Sequence, residues 1–394
     1  MREKNWWNSH KNQIRSAAIG TAAVGITLFA GFSINLYQNR KATEAMIAAR
    51  AAEQEQMAAG EAGADGEANG AGTDGGSGAT DGAGAGPSTD GLIRTDVNPD
   101  DVNLEPILAK DSVTYQGKQY RRNSYVKAIL CMGVDRQDTM TETRELGDAG
   151  QADGIFLIAQ DTARNGLKIL MIPRDTMTAI TFLSEDKSKS WKDITQLTMA
   201  YAYGDGREES CSNVVESVEG LLSGFQIDHY LAADTSIIGS LNDAVGGVTV
   251  TVPTAGMEKR DPAFVQGSTI TLHGDQAEAF VRYRDITQSN SALYRMDQQQ
   301  EYITRYFQAV KSKSKEDSQI VPHLFEMAED YMVTDMGKET YLKIAMDAMQ
   351  AGALSGENFR TVPGQGMNAG EHDIFRADRK ALIPIVLDLF YREV

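Results

Sequence analysis

Apolar positions along this chain fall into three regimes. Residues 16–37 form one uncharged run, SAAIGTAAVGITLFAGFSINLY. At about 1.5 Å per residue it is long enough to cross the roughly 30 Å apolar core of a bilayer as a single helix. From residue 41 to about residue 95 the apolar positions thin to alanine among glycine, aspartate and glutamate, and no periodicity survives. Beyond that, short aliphatic runs return. Those at 125–132, 154–159 and 167–172 are bounded by turn residues and predict buried strands. Residues 210–222 have helical spacing, with Val214, Val215, Val218, Leu221 and Leu222 on one side and Gly224 as a stop. Residues 227–232 and 248–252 read as further strands with a helix over 235–244 between them. Helices follow over 298–313, near Leu324, over 333–353 and over 375–391, where they present packing faces. Strands alternating with helices predict an α/β sandwich in one domain, 98–394.

Charge places that domain relative to the membrane. Residues 1–15 carry Arg2, Lys4, Lys11 and Arg15 against Glu3 alone, which favours a cytoplasmic N-terminus and an extracytoplasmic C-terminal domain. No small-x-small cleavage site lies between Ile34 and Asn39, so the run at 16–37 reads as an uncleaved single-pass anchor rather than a signal peptide. The low-complexity acidic Ala/Gly segment at 38–97 cannot bury enough apolar surface to offset chain entropy. Its Asp-Gly steps keep neither an EF-hand spacing nor a nonapeptide period, so it reads as a disordered tether. The first 41 residues carry a net +5, which leaves −22 for the rest of a chain at −17 and argues against nucleic-acid binding. Cys131 and Cys211 are the only cysteines, able to pair in an oxidising compartment or to stay as buried thiols. No zinc-type Cys/His spacing, P-loop or Gly-x-Ser-x-Gly elbow is present.

The chemistry gathers in the loops around the expected strands. Asp135 ends the first strand, Asp153 opens the second, and Pro173-Arg174-Asp175-Thr176 follows the third. Arg282, Arg284 and Arg295 then fall within fourteen positions of an acidic chain. Guanidinium forks meet phosphate oxygens two hydrogen bonds at a time, so such a cluster points to a bound anion. Arg282 and Arg284, two apart, point the same way if extended, and Arg295 and Gln299, four apart, share a helix face. Taken singly each element is weak. An Asp after a strand is usually a turn or cap residue, Arg174 with Asp175 can be a local ion pair, and the arginines can be structural partners of Asp285 and Asp297.

Order and context add to these residues. The elements ILCMGVD, ADGIFLIAQD, KILMIPRDT, AYAYGDG, LNDAVGGVTVTVP, LHGDQAEAFVRYRD and RMDQQQ, in this order from about residue 126 to 306, resemble the LytR-CpsA-Psr family of cell-envelope proteins. The resemblance implies a central mixed β-sheet flanked by helices on both faces. It implies a membrane-anchored phosphotransferase that moves an anionic glycopolymer from a polyprenyl pyrophosphate carrier to peptidoglycan, with Mg²⁺ and an apolar pocket for the lipid. It further implies that Asp135 and Asp153 ligate Mg²⁺, and that Arg174, Arg282, Arg284 and Arg295 hold phosphate oxygens with help from Gln299. Three positions depart from the pattern. Gln151 stands where the family usually has Arg, Gln196 where it commonly has Lys, and Gln298 in place of a second Arg near Arg295. The alternative is therefore a non-catalytic or weakly catalytic lipid-phosphate or glycan-binding module of the same fold.

Overall fold

The computed structural model describes residues 106–183, 190–285, 288, 291–369 and 372–394, so the expected anchor at 16–37 and tether at 38–97 lie outside the described residues. The described chain begins with the hairpin Ser112–Tyr115 (β1) and Lys118–Arg122 (β2). Val126–Val134 (β3), Ala152–Asp161 (β4) and Gly166–Ile172 (β5) then form an antiparallel meander. A ribbon follows, Met177–Leu183 (β6) with Ser190–Gln196 (β7), and then the helices Met199–Ala202 (α1) and Glu208–Leu221 (α2). Next come His229–Asp234 (β8), Ile238–Ala244 (α3), the pair Val248–Thr251 (β9) and Thr269–Leu272 (β10), and Asp275–Arg282 (α4). The C-terminal part runs through Ser291–Glu316 (α5), Ile320–Ala328 (α6), Met332–Thr334 (β11) and Lys338–Met349 (α7). It ends with Phe359–Thr361 (β12), the hairpin Gly364–Asn368 (β13) and Asp373–Ala377 (β14), Arg379–Phe390 (α8), and Tyr391–Glu393 (β15), which pairs with β2.

Six strands form the central mixed sheet in the order β11-β8-β3-β4-β5-β12. β8 runs parallel to β3 and β12 parallel to β5, while β4 is antiparallel to both of its neighbours and β11 to β8. β3 is buried at every position but Lys127, the mark of a strand covered on both faces. Its two faces serve different layers. Ile129 and Cys131 join Phe156, Ile158, Ile169, Met171 and Leu231 in a core shared with Leu241, Phe280, Tyr302, Leu324 and Tyr341 of α3 to α7. Leu130 and Met132 are equally buried on the other face, where α8 packs on β3 and α2 on β8. The sheet flanked by helices thus follows from strands whose inward and outward positions are both apolar.

Several boundaries differ from the sequence reading. Cys131 sits inside β3 rather than at its end, and Cys131 and Cys211 are both buried free thiols. Phe375 belongs to β14 and Val333 to β11, so the helices expected over 375–391 and 333–353 start later, at Arg379 and Lys338. The run 281–285 is not extended. Helix α4 continues through Arg282, and Tyr283, Arg284 and Asp285 leave it. Ala277, Phe280 and Val281 form a buried helical stripe behind the acids Asp275 and Glu278.

Candidate functional site

Strand direction assembles the site. β3, β5 and β8 point the same way and β4 opposes them, so the residues after β3, β5 and β8 and the first residues of β4 meet at one end of the sheet. Asp135, Asp153, Arg174 and Thr235 occupy those positions. That edge is the usual ligand edge of an open α/β sheet.

Each side chain is set by local backbone. Asp135 accepts from the Gln151 amide at 2.7 Å through Oδ1, and its own N–H donates to the Gln151 carbonyl at 3.2 Å. Gly150 permits this clasp: its φ is +86°, and a Cβ there would lie 3.0 Å from Val134 Cγ1 and 3.3 Å from Asp135 Oδ1. After β5, the Thr176 hydroxyl and N–H both donate to the Pro173 carbonyl, at 2.6 and 3.0 Å, closing a turn around Arg174 and Asp175. Arg295 and Gln299 share one face of α5, as their spacing predicts. Gln299 Nε2 donates to the Val281 carbonyl at 3.5 Å, tying α5 to the end of α4.

Asp153 is the hub. One carboxylate oxygen pairs with Arg174 and the other with Arg295 Nη1 at 2.9 Å, while Arg295 Nη2 donates to the Asp153 carbonyl at 2.9 Å. Arg174 also donates to Gln151 Oε1 at 2.7 Å, and its Nε lies 3.3 Å from Asp175. Arg282 sits on the same cavity wall as Arg295 and Gln299, paired with Glu278 one turn back at 2.7 Å. Burial lowers Arg174 to about 10, and Arg295 pushes it further the same way. Burial likewise holds Arg295 at about 10, with Arg282 adding to the effect. Arg284 is lowered by burial and by Arg295, while Asp175 and Asp373 pull it back up. Burial first, and repulsion among the guanidiniums second, perturb all three arginines, which makes this cluster a candidate anion site. Asp285 pairs with Lys259 at 2.7 Å.

Asp153, Thr235, Arg282, Arg295 and Gln299 line a cavity of about 20 Å³, room for about one water. Phe156, Ile238, Val281 and Ile303 give it an apolar wall beside the polar one. Sequence reasoning missed two residues here. Asp373, on a hairpin remote in the chain, acts on Asp175 and Arg284 and gave no motif to find it by. Thr235 was legible in principle, as the polar residue just past an apolar strand.

The LytR_cpsA_psr family model matches residues 102–385. The chain belongs to this family. TagU of Bacillus subtilis strain 168, a polyisoprenyl-teichoic acid–peptidoglycan teichoic acid transferase, is 26% identical over 264 residues, 66% of this chain and 76% of that protein. TagU of Bacillus anthracis strain A0248 is 33% identical over 186 residues, 46% of this chain and 51% of that protein. The chain spans about half the length of most curated relatives it matches, 50% for TagU of Halalkalibacterium halodurans and 43% for TagV of B. subtilis. The crystal structure of protein gbs0355 from Streptococcus agalactiae shares the fold, with a TM-score of 0.52 at 20% identity over 68% of this chain and 87% of that one.

In this LytR_cpsA_psr member the neutral side chains of Gln151 and Gln196 both lie in the site. Gln151 accepts from Arg174, and Gln196 donates to the Asp373 carbonyl at 2.6 Å and to Asp175 Oδ1 at 3.3 Å. Asp175 therefore faces a neutral amide on the Gln196 side. Burial holds its carboxyl above the ordinary value of 3.8, with Arg174, Arg295 and Arg284 pulling it down. A carboxyl that keeps its proton more tightly when folded adds stability below about pH 4, and that contribution is lost as pH rises through its folded value. Asp175→Asn is expected to remove this loss. In urea titrations at about pH 4 and pH 7 the variant should gain stability relative to the parent on going to neutrality. Parallel pH dependence in the two proteins would show that Asp175 ionises without penalty.

Proposed function

We propose that this protein is a phosphotransferase that attaches an anionic, teichoic-acid-like or capsular glycopolymer to peptidoglycan, taking it from a polyprenyl pyrophosphate carrier. The observation that carries the reading is the gathering of Arg174, Arg282 and Arg295 about Asp153 at one sheet end, with Arg284 close enough to feel Arg295 and Asp175, and an apolar wall lining the cavity of Asp153, Arg282 and Arg295. The names of its relatives, teichoic acid transferases, support the substrate class. The run at 16–37 supports a membrane anchor with the domain on the extracytoplasmic side, where polyprenyl carriers and peptidoglycan are both in reach.

In the reaction, a sugar hydroxyl of peptidoglycan attacks the phosphorus that bears the polymer. The phosphoanhydride bond breaks, polyprenyl phosphate leaves, and the hydroxyl proton is released. Such transfers depend chiefly on positioning and charge neutralisation, which a ring of fixed guanidiniums supplies without reorganisation. Arg174 and Arg295 would exchange their contacts with Asp153 for phosphate oxygens, Arg282 and Arg284 would take the remaining charge, and Gln299 would donate from the α5 side. The apolar wall would receive the first part of the lipid.

Asp135 and Asp153 would offer Mg²⁺ hard oxygen donors, Asp153 once its two oxygens leave Arg174 and Arg295. Among the described residues no cluster of three or more His, Cys, Asp or Glu is placed to hold a metal. Water and substrate oxygens would complete the shell, the usual manner of this ion. When bound, it would neutralise charge on the pyrophosphate.

The test is transfer of a labelled polyprenyl-pyrophosphate glycan to peptidoglycan by the full-length chain. The parent should turn over with Mg²⁺ and stop with chelator, and Arg282→Ala should fall roughly 100-fold or more. Neutral Gln151 and Gln196 favour one second reading, a module that binds the lipid pyrophosphate without efficient transfer. Copurified lipid pyrophosphate with no turnover would establish that reading, and neither ligand nor turnover would end both.

A further inference from the structure

Thr235 carries a hydroxyl with no task in the fold. The residue is 5% exposed, and its Oγ1 is buried without a hydrogen-bond partner. A buried hydroxyl left unpaired is costly, and valine would fill the same space without that cost. The position is not loosely held. Asp234, fully buried, accepts from the Gln137 N–H at 2.6 Å and the Ser236 N–H at 2.9 Å, which locks the end of β8 against the loop that follows Asp135. Thr235 lines the same cavity as Asp153, Arg282, Arg295 and Gln299.

Donors dominate that cavity: two guanidiniums and an amide, with Asp153 as the carboxylate acceptor. A ligand suited to it is rich in acceptor oxygens, and the missing partner of a threonine hydroxyl there is another such oxygen. We infer that Thr235 is a substrate-binding residue whose hydroxyl donates to a phosphoryl oxygen of the anion held by Arg282 and Arg295. This assignment rests on the pyrophosphate reading given above. It adds an uncharged contact from the end of β8 to those of the arginines on α4 and α5, in a cavity sized for a single bound oxygen of the anion.

The experiment measures binding of farnesyl pyrophosphate with Mg²⁺ to the full-length chain in detergent, by calorimetry, together with the melting temperature without ligand. Thr235→Val should bind roughly ten- to hundred-fold more weakly, the loss of one hydrogen bond to a charged group. Its melting temperature should equal or exceed the parent's, because the orphan hydroxyl is gone. Thr235→Ser should bind within about two-fold of the parent, since it keeps the donor. If Thr235→Val binds like the parent while Arg282→Ala does not, the role of Thr235 is overturned and the anion pocket stands. If Thr235→Ser is as weak as Thr235→Val, the methyl group rather than the hydroxyl matters and the assignment again fails. A parent that binds no farnesyl pyrophosphate overturns both the assignment and the pocket it rests on.

Discussion

Asp153→Ala is expected to lower the melting temperature by roughly 5–10 °C in phosphate-free buffer, and millimolar pyrophosphate is expected to recover most of that loss. The carboxylate is the shared counter-ion of two guanidiniums that have little access to water, with 11% of the Arg174 side chain exposed and 4% of Arg295. Taking away one partner of a buried ion pair leaves an uncompensated charge, at a cost of roughly 3 kcal/mol or more. Here two cations would face each other across the gap, and each already depresses or is depressed by its neighbours. A bound dianion restores the balance and stabilises the fold by mass action. Differential scanning calorimetry with pyrophosphate, against sodium chloride at matched ionic strength, separates binding from screening. Recovery of equal size in chloride would mean that the arginines bind no particular anion.

Arg174→Lys should cost about 100- to 1,000-fold in transfer while leaving the protein folded. Arg174 reaches three groups at once: Asp153, Gln151 Oε1 at 2.7 Å and Asp175 at 3.3 Å. Only a planar fork with fixed N–H directions can do this. An ammonium keeps the charge but must choose among the partners, and it loses the bidentate grip on phosphate. The split between kcat and KM is informative. A fall mainly in kcat places the Arg174 contact in the transition state, whereas a rise in KM alone would assign it to ground-state binding. Unchanged transfer would remove Arg174 from the site.

Much of this was legible because its signals are local. The strands β3, β4 and β5 are short apolar runs, and the acid after β3 and the Pro-Arg-Asp-Thr turn after β5 are contiguous with them. Arg295 and Gln299 were correctly placed on one helix face because a spacing of four needs no tertiary information. The condition attached to Arg282 and Arg284, that the segment be extended, is not met for an equally local reason. Two arginines at spacing two suggest an extended segment, but Ala277, Phe280 and Val281 had already committed the chain to a helix that ends on Arg282. Arg282 therefore reaches the cavity from a helix terminus with Glu278 as its partner one turn back. Asp373 lay beyond any local signal, since it comes to Asp175 and Arg284 only through a hairpin whose Phe375 N–H donates to the Asp175 carbonyl at 2.8 Å.

The apolar runs and the motif order were enough to establish the layered α/β architecture, the family and the set of charged residues at the strand ends, because burial pattern and turn chemistry act over a few residues. Folding decided the pairing. Arg295 meets Asp153 across 142 positions of chain, Gln151 rather than a cation steadies Arg174, and Thr235 ends with a buried hydroxyl pointing to no protein partner. Charges and hydrogen bonds take their strength from distance and from the water excluded around them, and both quantities exist only once the strands β3, β4, β5 and β8 have brought their ends together.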